Sequence, residues 1–343
     1  MQRAGPLAAI LLLAGIGAGP AIAAEADNFY RGKQIRLIIG SGTGGGYDLY
    51  ARTLAQYMPR HIPGNPAIVP QNVPNAIQVV NDLAFTLPHD GTVFAGFASG
   101  MPTAPFFRPD QAKFDAAKLT WLGSANVDVQ TDYVWSTVPV YGLADLRRQE
   151  VILGAVIPGD ATVDFPLLAN AILGFKYRLV TGYHTTAEID LALERGEVQG
   201  NGGVAWGSLK TRHPDWIRDK KVRLLAQYGM KPHPEIPDIP LIMDQAKSDE
   251  DRQALSFMLA RQEMGRPYAA PPGLPPERTA LLRRAFDATM QDPDFLADAA
   301  ARQLEIAPMT GEAVDALVRR ITATPPATIA RVKAALSVAP GKN

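Results

Sequence analysis

Short apolar runs alternate with segments of helical periodicity along the first third of the chain. Ile35 to Ile39 is a run of strand-forming residues, and apolar positions recur at helical spacing over 49–58. An edge strand at 67–69, a helix from Ala76 to Thr86 and a strand from Val93 to Phe97 follow. This βαβαβ order is typical of an open parallel sheet with helices on its faces, so the pattern predicts an α/β fold.

A second unit with the same alternation lies in the middle of the chain. The strand Val151 to Val156 precedes an apolar helix that ends at Leu173. A strand from Tyr177 to Val180 then leads into a helix from Thr185 to Arg195, and the apolar strand Val222 to Gln227 returns toward the first unit. The second unit is therefore predicted to be another α/β sheet.

The chain passes twice between these two units. We assign residues 25–125 and 228–343 to a first lobe that includes the C-terminal helices, and residues 126–227 to a second lobe. Two α/β lobes joined by two crossings leave a cleft in which hinge closure can bury a ligand. The sequence therefore predicts a two-lobed α/β protein with a ligand cleft between the lobes.

A glycine-rich loop, with five glycines over positions 40–46, joins the first strand to the first helix. Glycine allows positive φ and lets a ligand approach backbone N–H groups, while the helix start adds partial positive charge. The loop is therefore predicted to hold an anionic or polar group. The candidate residues are Ser41, Gly42, Thr43, Gly44, Gly45, Gly46, Tyr47 and Asp48.

Further candidates lie in loops that follow other predicted strands. Ligands of open α/β sheets collect outside the carboxyl ends of the strands, so these loops should face the same cleft. The loop at 159–162 is the second-lobe counterpart of the glycine loop. The candidate residues are Ser99, Thr103, Gly159, Asp160, Ala161, Thr162 and Trp206.

Several candidates have a structural alternative. Asp48 is placed to cap the following helix, and the hydroxyls of Ser99 and Thr103 can serve local turns. Trp206 can belong to the core or to a hinge instead of the cleft. A ligand role is favoured for Tyr47, because a large aromatic residue beside a glycine run has no helix to pack on locally.

Composition narrows the class of protein and its location. Lys plus Arg and Asp plus Glu both number 34, so no net charge favours a nucleic-acid partner. There is no cysteine, which excludes disulfides and thiolate chemistry. A basic start, a short apolar run and small residues at 21–24 predict a signal peptide over residues 1–24 and a periplasmic location, with a membrane anchor or a buried N-terminal helix as alternatives.

Enzyme motifs are weak or missing. Gly40, Gly42 and Gly45 match a dinucleotide-binding spacing, but no acidic residue lies between Asp48 and Asp82, where the ribose ligand is expected. The sequence contains neither a P-loop nor a Gly-x-Ser-x-Gly motif, and the histidines lack paired zinc spacing. His184 is the only histidine predicted at a strand end facing the cleft. We therefore predict no catalytic residue, no metal and no cofactor.

Four motifs in order resemble the periplasmic receptors of tripartite tricarboxylate transporters, the Bug proteins. They are the strand and glycine loop ending at Asp48, Pro88 to Thr92, Pro237 to Pro240, and Ala270 to Pro275. The resemblance covers nearly all of the chain after residue 24. It implies a two-lobed periplasmic binding protein (Venus flytrap) fold that closes on a small carboxylate and delivers it to a membrane permease.

In that family the carboxylate is held by the first glycine loop and by the second-lobe loop. Carried over by position, these are Ser41 to Asp48 and Gly159 to Thr162. Backbone N–H groups at two helix starts can neutralise a carboxylate without a buried lysine or arginine, whose desolvation is costly. Three departures from the family pattern, at Tyr47, Asp160 and 201–206, leave the identity of the ligand open.

The sequence therefore predicts a monomeric solute-binding protein, without enzymatic activity, for a small organic carboxylate. Its expected partners are that ligand and the permease subunits of a tripartite transporter. The alternatives are a periplasmic hydrolase built on the same lobes and a sensor that binds the same acid. Asp160 is expected to face solvent or to cap its helix, because an inward carboxylate would repel the ligand.

Overall fold

Two separate β-sheets, each flanked by helices, make up the computed structural model, which describes residues 29–156 and 159–337. The predicted signal peptide at 1–24 lies outside the described residues. Across this described part, the helices are all too short or too polar to cross a bilayer.

The strands, in chain order, are β1 Gln34–Ile39, β2 Ala67–Asn72, β3 Val93–Gly96, β4 Thr120–Ser124, β5 Gln130–Trp135, β6 Val151–Ala155, β7 Tyr177–Thr181, β8 Gly200–Ala205, β9 Val222–Tyr228, β10 Pro267–Ala270 and β11 Met309–Thr310. The α-helices are α1 Gly46–Tyr57, α2 Ala76–Phe85, α3 Ala104–Phe107, α4 Leu143–Arg148, α5 Ala161–Leu173, α6 Thr186–Glu194, α7 Trp206–Arg212, α8 Pro214–Arg218, α9 Asp249–Leu259, α10 Pro276–Gln291, α11 Pro293–Ala301, α12 Gly311–Thr322 and α13 Pro326–Leu336. A 3₁₀ helix, Ala260–Met264, follows α9 directly.

The first sheet has the strand order β11-β4-β10-β3-β1-β2. Its strands come from two stretches of sequence, 34–124 and 267–310. The predicted βαβαβ unit is parallel, since β1 pairs in parallel with both β2 and β3. The sheet as a whole is mixed, because β10 runs antiparallel to β3 and β4 and β11 runs antiparallel to β4.

The second sheet has the strand order β7-β6-β8-β5-β9, with all its strands from residues 130–228. Its centre is parallel, since β6 pairs in parallel with β7 and β8. β5 pairs antiparallel with β8 and β9, so this sheet is also mixed rather than purely parallel. The hydrophobic pattern fixes which residues are buried but not the direction of a returning strand.

Helices α5 and α13 form part of the boundary between the two sheets. α5 packs on β8 and carries a nearly continuous run of buried residues from Thr162 to Ala169. α13 packs against both α9 and α5. The C-terminal helix therefore brings its last turn to the space between the lobes, where the loops after β1, β3 and β6 also end.

Candidate functional site

A cleft of about 640 Å³ lies between the two lobes. It is bounded by the loop after β3, the start of α5, the 3₁₀ helix Ala260–Met264 and the end of α13. Six of the residues proposed from the sequence line it, and they come from three separate loops. These residues are Tyr47, Ser99, Thr103, Gly159, Asp160 and Ala161.

The other proposed residues lie near these loops but do not line the cleft. Among them, Thr162 is buried, with its hydroxyl between the Asp160 carboxylate and the Val156 N–H. Trp206 is also buried, and its indole N–H donates to Glu235 at 2.7 Å, away from the cleft. The remaining residues are Ser41, Gly42, Thr43, Gly44, Gly45, Gly46 and Asp48 in the glycine loop and the first turn of α1.

A carboxylate from the following helix accepts a hydrogen bond from the glycine loop. Gly45 is the N-cap of α1, so Asp48 is not the cap. Instead Asp48 reaches back from the first helical turn and accepts the Gly44 N–H at 2.9 Å. It also accepts from Asn72 Nδ2 and Arg52 Nε, both at 2.8 Å. Burial opposes ionisation, but these hydrogen bonds outweigh it and lower the pKa of Asp48 below its ordinary value.

In the second-lobe loop, carboxylates also accept hydrogen bonds from backbone N–H groups. Asp160 is the N-cap of α5, and its carboxylate accepts the Thr162 N–H at 2.9 Å. The Gly159 N–H donates to Asp164 Oδ1 at 3.0 Å. Burial raises the pKa of Asp164, while Arg261 acts in the opposite direction. In both loops, therefore, an acid from the following helix already accepts a glycine N–H that the sequence assigned to a ligand.

Tyr47 lines the cleft with its side chain held on two sides. Its hydroxyl accepts the Ser99 N–H at 3.3 Å, which ties the glycine loop to the loop after β3. The Arg266 guanidinium lies over the Tyr47 ring at 4.5 Å and over the Tyr50 ring at 5.1 Å, and it pairs with Asp128 at 3.1 Å. Tyr47 therefore packs on a residue from a distant segment, Arg266 before β10, which its neighbours in the sequence do not indicate.

Three cationic residues in the cleft were missed at the sequence level. Arg261, in the 3₁₀ helix, is 9% exposed and lies over the Phe165 ring at 5.0 Å. Arg108 follows α3, and its Nη2 would be 2.2 Å from a Cβ added to Gly159. Lys333 lies exposed near the end of α13. The cleft wall therefore includes a buried arginine, in addition to the backbone N–H groups on which the sequence prediction relied.

A local signal for Arg261 exists in the sequence, although it is indirect. Arg261 and Gln262 follow the apolar helical run that ends at Leu259, a position where the chain turns back into the core. Charged residues are seldom buried without a partner, so an arginine there indicates either an ion pair or a site. Arg108 and Lys333 lie at exposed positions, where a charged residue is ordinary, so the sequence gives no comparable signal for them.

Among the described residues, the cleft wall holds neither a histidine nor a group of metal ligands. His184 is exposed, its own N–H donates to Glu188 at 2.9 Å, and it does not line the cleft. Within residues 29–156 and 159–337, no three His, Asp or Glu side chains are grouped closely enough to hold a metal ion. The polar groups that line the cleft are guanidinium, ammonium, carboxylate, amide and hydroxyl groups.

Comparison with known proteins finds similarity in structure only. No protein-family model matches the sequence, and no curated protein matches it. A TctC solute-binding protein from Polaromonas is similar, with a TM-score of 0.67 and 19% identity over 90% of this chain and 99% of that one. The periplasmic binding protein BugD has a TM-score of 0.64 and 20% identity, with coverages of 89% and 98%.

A third solved structure, Rpa4515 of R. palustris with adipate, has a TM-score of 0.61 and 18% identity and covers 88% of this chain and 97% of that one. The chain therefore has the two-lobed α/β fold of periplasmic binding proteins, and its structural neighbours include TctC and BugD. The expected fold is confirmed.

Proposed function

We propose that this protein is a solute-binding protein that captures a small organic carboxylate in the cleft between its lobes. In this role it works in the periplasm as a monomer, without catalysis, and delivers the ligand to a permease of the tripartite tricarboxylate transporter type. The fold shared with TctC and BugD supports the binding role, and the adipate in Rpa4515 supports the class of ligand.

The observation that carries the proposal is an imbalance among the charged groups of the cleft. Its three acids, Asp128, Asp160 and Asp164, all accept hydrogen bonds from their own chain. Arg261 differs from them, because its guanidinium is 3.8 Å from Asp164 and donates no hydrogen bond within the described residues. Arg261 therefore brings guanidinium donors to the cleft wall that no described acceptor engages, and an anion is a ligand that can engage them.

A guanidinium and a carboxylate can form two parallel hydrogen bonds, which fix the direction of the ligand as well as its charge. The amides of Gln130 and Gln262, both largely buried in the cleft wall, can supply further polar contacts. Arg261 belongs to the segment that enters the first sheet, whereas Asp160 and Ala161 belong to the second. A ligand that contacts both favours the closed arrangement of the lobes.

Thermal stability in the presence of small acids tests the binding role. A panel of organic carboxylates is compared with the matching uncharged amides, because an amide keeps the shape and removes the charge. A ligand that binds only the folded protein raises the melting temperature with concentration. We expect shifts from carboxylates and none from amides. Equal shifts from both, or none from any acid, would overturn the proposal.

The hydrolase and sensor alternatives have distinct tests. Turnover of chromogenic esters that is lost in His184→Ala would establish a hydrolase and contradict the proposed function. For the sensor, the gene is deleted and uptake of the bound acid is measured. Normal uptake in the deletion strain would contradict the transport role and leave the binding role in place.

A further inference from the structure

The segment after β3 changes from polar to apolar along the wall of the cleft. At its start, a Cβ added to Gly100 would lie 3.2 Å from Nη1 of Arg261, so the backbone there is in close contact with the cationic group. Farther along the segment, Phe106 and Phe107 of α3 also line the cleft. One continuous stretch thus borders the Arg261 guanidinium at its start and carries two aromatic rings at its end.

The two phenylalanine rings are held in place by a third ring behind them. Phe257 of α9 is 3% exposed. Its ring centroid lies 5.8 Å from that of Phe106, nearly edge to face, and 6.1 Å from that of Phe107. Phe106 and Phe107 are themselves only half-buried. Their exposed surface therefore faces the cleft in a fixed position before any ligand arrives, which lowers the entropic cost of binding.

Aliphatic side chains complete the apolar part of the cleft. Val163 and Leu167 are four residues apart in α5 and therefore lie on the same face of that helix. Ile77 at the start of α2 and Leu336 at the end of α13 also line the cleft. Apolar walls thus come from four helices, which belong to both lobes and to the boundary between them.

The aromatic character of the cleft does not rest on Tyr47, although the sequence pointed to it. One face of the Tyr47 ring is covered by Arg266 and its hydroxyl is engaged with Ser99. Phe106 and Phe107 are the aromatic surfaces that remain for a ligand. A cleft of about 640 Å³ is in the size range that encloses drug-sized molecules, so a four-carbon acid would leave the partly exposed Phe106 and Phe107 rings in contact with water.

Resting on the proposed function, we infer that the preferred ligand is an aryl or arylalkyl monocarboxylate. Its carboxylate binds Arg261, and its ring packs against Phe106 and Phe107 on one side and against Val163 and Leu167 on the other. Short hydrophilic diacids satisfy the cationic end but bury little of the apolar wall. Specificity in this protein is therefore set by α3 and α5, in addition to the loops that close around the carboxylate.

Isothermal titration calorimetry tests this inference with phenylacetate, 4-phenylbutyrate, adipate and malate as probes. We expect the best aryl acid to bind the parent protein at least about tenfold more tightly than either diacid, as burial of one ring predicts. Phe107→Ala should weaken aryl-acid binding about tenfold and change adipate binding by less than about twofold. Phe106→Leu keeps apolar volume without the ring and should show a smaller loss with the same selectivity.

Phe85→Ala is the matched control, since Phe85 is 62% exposed at the end of α2 and does not line the cleft. It should leave every affinity unchanged, and thermal melts establish that each variant is folded. If the diacids bind as tightly as the aryl acids, or if Phe106→Leu and Phe107→Ala leave aryl binding intact, the inference fails and the proposed function stands. If no acid of either class binds, both fail.

Discussion

Arg261 Nη2 and Asp164 Oδ2 lie 3.8 Å apart in the cleft, close enough to attract and too far apart to share a hydrogen bond. Both residues are largely buried, at 9% and 6% exposure. Asp164 already accepts a hydrogen bond from the Gly159 N–H, next to the start of its own helix. The pair therefore keeps the guanidinium from being an isolated buried charge while leaving its donors available to a ligand.

Asp164→Asn should strengthen carboxylate binding. The asparagine oxygen can still accept the Gly159 N–H, whereas the negative charge that competes with the ligand for Arg261 is removed. We expect an affinity gain of roughly three- to tenfold in calorimetric titrations at neutral pH and low salt. Asp215→Asn, at an exposed position with its own lysine partner, is the control. A loss of affinity in Asp164→Asn would mean that the carboxylate contacts the ligand directly.

Asp48→Ala should destabilise the protein because it removes the acceptor of three hydrogen bonds, from Gly44, Arg52 and Asn72, around the glycine loop. We expect a loss of about 2 kcal/mol in the free energy of unfolding, measured with urea at pH 7. Gly45→Ala is the contrasting variant. Gly45 has φ −84° and ψ 172°, and a Cβ added there meets nothing within 4 Å, so its stability should stay within about 0.5 kcal/mol of the parent.

The contribution of Asp48 should also depend on pH. Since its folded-state pKa is lowered from 3.8, the contribution is present above that value and is lost as the pH falls through the lower pKa. The difference in stability between the parent and Asp48→Asn should therefore shrink as the pH falls below 3.8. A difference that grows on acidification would contradict this role.

Glu305→Gln should loosen a contact between the lobes. Lys210 of α7, in the lobe of the second sheet, donates to Glu305, which lies in the segment between α11 and β11. Hydrogen bonds from His233 and Lys210 overcome partial burial and lower the pKa of Glu305 from 4.5 to about 2. We expect a loss of about 1 kcal/mol at neutral pH, measured by chemical denaturation.

The contribution of the Glu305 carboxylate to stability should also depend on pH. Because its pKa is lowered in the folded protein, the stabilisation is present above pH 4.5 and is lost as the pH falls toward about 2. Glu235→Gln, which leaves the Lys210–Glu305 pair in place, is the comparison. Equal stability of Glu305→Gln and the parent at pH 7 would show that the pair contributes nothing.

Asp132 should make the second lobe sensitive to pH in the opposite direction. Its buried carboxylate accepts from the Tyr228 and Tyr177 hydroxyls and from the Gly203 N–H. Burial outweighs these hydrogen bonds and raises the pKa of Asp132 from 3.8 to about 6. The stability of the parent relative to Asp132→Asn should therefore be greatest below pH 3.8 and should decline as the pH rises through about 6.

Thermal melts of the parent and Asp132→Asn across that range check the prediction. If the melting temperatures of the two proteins change with pH in the same way, the carboxylate is not desolvated as described. The residue also bears on the site, because Gly203 lies against the second-lobe loop. A Cβ added to Gly203 would be 2.1 Å from the Ala161 carbonyl oxygen. Ligand affinity should nevertheless change little in Asp132→Asn, because the asparagine oxygen can still accept the Gly203 N–H.

The parts of the site that depend on local pattern were predictable from the sequence. A strand, a glycine loop and a helix do occur in that order around Gly45, and the loops that carry Ser99 and Gly159 do meet at one cleft. The order of elements follows from periodicity, and the glycine loop and the Ser99 loop share one edge because β1 and β3 are parallel neighbours. The Gly159 loop belongs to the other sheet and meets them where the two lobes pack. The roles of the individual residues in binding stay predictions.

The chemistry of the site was less predictable, because it depends on contacts between distant segments. Arg261 reaches the cleft, and Arg266 reaches the Tyr47 ring, from the chain that enters β10, more than two hundred residues after the glycine loop. The glycine N–H groups at 44 and 159 are engaged by acids from within their own helices. A local signal for these two hydrogen bonds exists in the sequence, since each helix has an acid in its first turn. The signal is not specific, because an acid in the first turn also stabilises a helix through the helix dipole.

Titration of the best-bound acid into Arg261→Gln measures whether Arg261 holds the carboxylate of the ligand. Arg195→Gln is the matched control, because that exposed arginine also lies 3.8 Å from an acid. We predict at least about a hundredfold loss of affinity in Arg261→Gln, as expected for a partly buried charged hydrogen bond, and parent-like affinity in Arg195→Gln. Parent-like affinity in a folded Arg261→Gln protein would contradict the account.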